Sequence, residues 1–215
     1  LGRRIRWDPE NEAVVDDLAA SFDRLRENDD VGLDIERFRP YFDKSPDHQL
    51  ELTLRVKDLP LPMVLSMEFE KGLYVPPIEW NDTMPMMNWL ATGQEVTWIL
   101  PDVATMSPDR ELGPARGWRF KEGDVIKLRL FNNPKSVHPM NHPMHLHGQR
   151  FLVLEQDGVR MSNLVWRDTV IVPVGATIDL LVEMSNPGDW MLNCQIPEHL
   201  GAGMSMSFSV QASEA

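Results

Sequence analysis

The sequence predicts an all-β fold, an antiparallel sandwich or barrel, with a helical extension at its N-terminus. Two observations carry this. From about Asp47 the apolar residues recur with a period of two, Leu50, Leu52, Leu54 and Val56 alternating with Glu51, Thr53 and Arg55, as in a strand with one buried face. Turn-forming clusters then cut the chain into short segments: Glu122-Gly123-Asp124, Asp157-Gly158, Val174-Gly175 and Asn186-Pro187-Gly188. Many short strands with little helix between them close into a sandwich or barrel.

The elements follow in chain order. Residues 1–46 have a different period: Val14, Leu18, Phe22 and Leu25 are spaced as on one helix face, with Asp16, Asp17, Arg24 and Glu27 between them. Glu10 or Asn11 leads into that helix, and Ile35 to Phe38 adds a short turn before Pro40. This segment reads as a linker or docking extension. The remaining strands are expected at Glu95 to Leu100, Val125 to Phe131, Arg150 to Leu154, Asp168 to Val172, Thr177 to Met184, Asp189 to Cys194 and Ser205 to Val210. They place one domain at residues 47–215.

A chain of 215 residues removes roughly 70% of its unfolded surface from water, enough for a core without disulfides. Cys194 is the sole cysteine, so no internal disulfide forms. The net charge of −12 argues against a nucleic-acid partner, which calls for clustered Lys and Arg. No run of 18 apolar residues exists, so no membrane-spanning helix is expected. The opening Leu1-Gly2-Arg3-Arg4-Ile5-Arg6 lacks the apolar stretch of a signal peptide.

The chemistry concentrates in Cys194-Gln195-Ile196-Pro197-Glu198-His199-Leu200-Gly201-Ala202-Gly203-Met204. Thiolate, imidazole and thioether fall at intervals of five on one Gly-containing loop between two strands. A copper ion cycling between a soft and a harder state is suited by two imidazoles and a thiolate in a trigonal plane, with a weak axial thioether. The second imidazole must come from a strand distant in sequence. His142 is available in His142-Pro143-Met144-His145-Leu146-His147-Gly148. Against this stands a buried cysteine with coincidental neighbours.

These two segments resemble the C-terminal cupredoxin domain of multicopper oxidases, the laccase-like family. The resemblance extends through Gln149-Arg150-Phe151-Leu152-Val153-Leu154 and Leu164-Val165-Trp166-Arg167-Asp168-Thr169-Val170, and covers roughly Leu50 to Val210. It implies a cupredoxin-like Greek-key β-sandwich with one type 1 copper held by His142, Cys194, His199 and Met204. It also implies single-electron exchange with a small-molecule or protein donor or acceptor through the exposed edge of a ligand histidine, in a periplasmic or extracellular setting.

His145 and His147 match two histidines that hold the family's oxygen-reducing trinuclear cluster. The two that flank the cysteine in the family are replaced here by Asn193 and Gln195. Once the type 1 site takes two of the six histidines, four remain, too few for that cluster. Amides are far poorer metal ligands than imidazoles, so four-electron oxygen reduction is not expected of this chain. A truncated or engineered form fits the shape-preserving replacements, and so does natural loss.

Other residues keep two readings. Asp168 either orients a ligand histidine through its ring N–H or is a strand-edge acid. Met84, Met86 and Met87 fill core gaps or form a soft Cu(I) site. His138 reads as a loop residue, and His145 with His147 could chelate a second metal. Beside electron transfer stand two further function classes: a laccase-type oxidase subunit acting on phenols or metal ions, and a structural copper-carrying module docked through its N-terminal helix.

Overall fold

A computed structural model describes residues 29–57, 61, 65, 96–104, 117–136 and 139–213. The helix expected around Val14 to Leu25, the Met84 to Met87 cluster and His138 lie outside the described residues. The chain divides into two compact units, Leu1–Pro40 and Tyr41–Ala215. In the first, a helix runs Asp29–Glu36. Arg37 closes on Asp34 at 2.9 Å, an (i, i+3) pair that suits a helix end with its C-terminal cation.

Among the described residues the second unit is a two-sheet sandwich of twelve strands. One sheet combines β1 (His48–Val56), β2 (Val96–Ile99), β4 (Val125–Asn132), β6 (Arg150–Gln156), β7 (Val159–Arg160), β8 (Trp166–Arg167) and β10 (Thr177–Glu183), in the order β2-β1-β4-β10-β6-β7, with β8 on β6. The other combines β3 (Trp118–Lys121), β5 (His142–Leu146), β9 (Thr169–Val172), β11 (Gly188–Cys194) and β12 (Ser205–Gln211), in the order β3-β12-β11-β5-β9. Consecutive strands repeatedly switch sheets, the Greek-key habit of cupredoxin-like sandwiches. Two pairings, β1 with β4 and β12 with β3, are parallel.

The period of two puts one set of side chains between the sheets. Leu50, Leu52, Leu128, Leu130, Leu180 and Val182 from the first sheet meet Met144, Leu146, Leu192, Met206, Phe208 and Val210 from the second. Burying a Leu or Val of this kind contributes about 1.5–3 kcal/mol. The Asp157-Gly158 turn joins β6 to β7 with both residues at positive φ, 53° and 78°. That geometry follows the right-handed twist of a hairpin, and Gly adopts it without penalty.

β10 is buried at five successive positions, Ile178 to Val182. Asp179 is one of them. It lies directly opposite Arg129 across the β4–β10 ladder and accepts two bonds from the guanidinium, at 2.6 and 2.8 Å. Lys127 adds an ammonium at 3.3 Å and also donates to Phe42 O, tying the segment before β1 to this pair. Burial by itself raises the Asp179 carboxyl, but the bonds and charges of Arg129 and Lys127 outweigh it and hold the group below the usual carboxylate range. Removing the anion would leave a buried ammonium uncompensated. We expect Asp179→Ala to cost about 3–5 kcal/mol, read by urea denaturation followed by circular dichroism. A loss below about 1 kcal/mol, the worth of an exposed pair, would show that the network holds nothing together.

Candidate metal centre

Cys194 is the last residue of β11 and pairs in register with Met144 of β5. His142 opens β5, two residues before Met144, so it shares the inward face with Met144 and Leu146. Three residues past Cys194, Pro197 starts a short helix, Pro197–Gly201. Proline suits a first helical position, where its missing N–H breaks no bond, and it keeps Ile196 extended at φ −76°, ψ 116°. That single turn presents His199. The chain then closes on itself: Met204 N–H donates to His199 O at 2.8 Å, and Cys194 N–H donates to Met204 O at 3.0 Å.

The result brings two imidazoles to one thiol. His142 Nδ1 lies 3.9 Å and His199 Nδ1 3.6 Å from Cys194 Sγ, and the three ligand atoms are mutually within 4.8 Å. Among the described residues this is the only group of three or more His, Cys, Asp or Glu donors with metal-holding geometry. Met204 is fully buried on the same loop. His142 and His199 are 1% and 0% exposed, so the ring edge expected at the surface is not there.

Burial pushes the Cys194 thiol up to about 11, although the Ile196 backbone N–H, bonded to the sulfur, pulls the other way. A thiol in that state is inert at neutral pH. Bringing it to the thiolate there takes a cation beside it, and metal binding is then linked to proton release. The donor set therefore fits a copper ion better than a reactive cysteine. Pro143, beside His142, has no N–H to offer the sulfur, and Ile196 supplies one.

The opposite face of the same strands is different. Asn193 pairs with His145. Its Nδ2 donates to Cys194 O at 2.9 Å, while its buried Oδ1 has no hydrogen-bond partner. Gln195 is exposed, just beyond β11. His145 and His147 rings meet edge to face at 4.8 Å, with His147 in the turn that follows β5. Asp168 stands 3.9 Å from His145 Nδ1, too far for a direct bond. Thr169 mediates: its hydroxyl donates to Asp168 at 2.9 Å and accepts from His145 Nδ1–H at 2.9 Å. Asp168 is thus linked through Thr169 to a histidine of this second face.

Trp98 was not singled out by sequence. It comes from β2 and lies against both inward histidines, its ring 4.3 Å from His199 and 4.9 Å from His142.

Residues 82–214 match the family model described as Multicopper oxidase. The chain belongs to the multicopper oxidase family. Family membership implies copper as the metal. Among curated relatives, the chain is 31% identical over 147 residues to an oxidoreductase of Pestalotiopsis microspora, covering 64% of this chain and 23% of that protein. It is 27% identical over 166 residues to dihydrogeodin oxidase of Aspergillus terreus, covering 67% and 27%. With Laccase-7 of Oryza sativa subsp. japonica it shares 32% over 102 residues, covering 43% and 18%. The chain therefore spans between 18% and 27% of the length of these relatives. A solved multicopper oxidase from Campylobacter jejuni superposes with a TM-score of 0.47 at 17% identity, covering 79% of this chain and 31% of that one. Among the described residues no helix is long and apolar enough to cross a membrane.

Proposed function

We propose that this multicopper-oxidase domain, residues 47–215, is a type 1 copper electron-transfer domain without an oxygen-reducing cluster. The observation that carries the reading is the convergence of the buried His142, Cys194 and His199, with Met204 buried on the same loop. His142 and His199 through Nδ1, Cys194 through its thiolate and Met204 through its thioether would hold the ion. Copper bound there supplies a reversible one-electron couple. The Ile196 N–H bonded to the sulfur would withdraw charge from a bound thiolate and so tune the potential.

Asn193 and Gln195 do not fit a trinuclear centre, since amide groups stand at the two positions beside the cysteine. His145 and His147 lack imidazole partners at those two positions. The electron partner is a small molecule or a protein, met in a periplasmic or extracellular compartment.

The test is a copper titration followed by visible and electron-paramagnetic spectroscopy. One equivalent should give an intense charge-transfer colour, bleached by ascorbate and restored by a mild oxidant. Colourless protein at saturation would refute the assignment. Oxygen uptake with a phenolic reductant, well above that of free copper, would instead favour a laccase-type oxidase.

A further inference from the structure

Trp98 sits on β2, at the edge of the seven-stranded sheet, yet it is only 1% exposed. Its backbone N–H donates to Ala202 O at 2.9 Å, so the strand is fastened to the loop that carries His199 and Met204. Gly203 lies at φ +103°, with its Cβ position only 3.1 Å from Trp98 O. A larger residue would push the loop off the strand. The indole ring tilts 33° over His199 and meets His142 nearly edge-on at 74°. One side chain thus contacts both imidazoles.

The indole Nε1–H is buried with no hydrogen-bond partner. An orphaned donor is a cost that phenylalanine or leucine would avoid. Simple core filling does not call for that cost. What indole offers over either is a wider flat surface, and here that surface lies on two histidine rings.

We propose that Trp98 is a positioning residue of the copper centre: it clamps both imidazoles and seals the His199 face, so that a bound copper ion accepts no further ligand and exchanges electrons without direct coordination of its partner. This rests on the function proposed above and adds the reason a centre with fully buried ligand rings stays closed. Groups that hold a ligand imidazole in place are worth about 10–100-fold in metal affinity when removed.

The experiment compares copper-loaded parent, Trp98→Phe and Trp98→Leu, each titrated with azide under visible and electron-paramagnetic spectroscopy, with thermal melts of the metal-free proteins alongside. The parent spectrum should not respond to azide. Trp98→Leu should take up azide, with a new absorption and altered copper hyperfine splitting, and bind copper at least about tenfold more weakly. Trp98→Phe should fall between the two, and it decides the matter if Trp98→Leu does not fold. A folded, copper-loaded variant as indifferent to azide as the parent, with only its melting temperature lowered, would reduce Trp98 to core packing and overturn the proposal. A parent without charge-transfer colour would instead sink the type 1 reading, and the clamp with it.

Discussion

Cys194→Ser should remove the visible colour of the copper-titrated protein and weaken copper binding by at least about a hundredfold, since losing even an outer partner of a metal ligand costs up to about that much. The hydroxyl that replaces the thiol is a hard, feebly acidic donor, whereas the soft state of copper demands sulfur. The fold should survive. Cys194 is fully buried at the end of β11, and the smaller Ser side chain can accept the Ile196 N–H that the sulfur now receives. Burying a hydroxyl with such a partner costs about 1–2 kcal/mol, or roughly 2–8 °C in a domain of this size. The two effects separate cleanly: metal quantification after dialysis reads the site, and the metal-free melt reads the fold. The parent should also melt higher with copper than without, because a ligand of the native state alone raises stability by mass action, and Cys194→Ser should lose that increment. A Cys194→Ser protein that keeps both colour and copper-dependent stabilisation would sink the ligand assignment.

What could be read in the sequence follows the physics of each element. β1, β4, β10 and β12 are legible because their inward residues are aliphatic or aromatic at every second position. β5 is harder: it carries His142 and His145 on opposite faces, so hydrophobic alternation is masked just where the chemistry lies. β3 is four residues long, with Arg119 and Lys121 facing out, and is held by a parallel pairing with β12 that no local pattern encodes. The grouping of Cys194, His199 and Met204 on one loop is legible because one contiguous segment supplies all three. Trp98 was not, because its contact with that loop spans about a hundred positions of chain and depends on how the two sheets stack. The burial of both ligand rings is likewise a property of packing, not of spacing.

Asp102→Ala should be among the most damaging substitutions away from the metal. Asp102 is 3% exposed, and its carboxylate accepts bonds from Gln49 N–H at 3.1 Å, Ala104 N–H at 3.2 Å and Trp118 Nε1–H at 3.3 Å, with His48 Nδ1 at 2.7 Å. His48 also stacks on Trp118 at 4.1 Å. Since His48 and Gln49 belong to β1 and Trp118 to β3, one anion joins the two sheets. Burial alone would raise this carboxyl. The bonds from His48, Gln49 and Ala104, with the His48 charge, outweigh that and leave it below its usual range. A lowered native value means the unfolded chain binds the proton first. The stabilisation is therefore complete above the unfolded carboxyl's value of about 3.9 and is lost as pH falls through the lower native one. Truncation strands several buried donors at once, so we expect a loss of about 3–5 kcal/mol at pH 7. Denaturation at pH 7 and at about pH 3 should show the difference between parent and variant shrinking in acid. Asp102→Asn, which cannot titrate and keeps one acceptor, should lose less at pH 7. None of these changes touches a residue of the proposed copper site, so colour and copper-dependent stabilisation should persist in every variant that folds. A parent-to-variant difference that stays constant with pH would mean that the charge of Asp102 contributes nothing and only its shape matters.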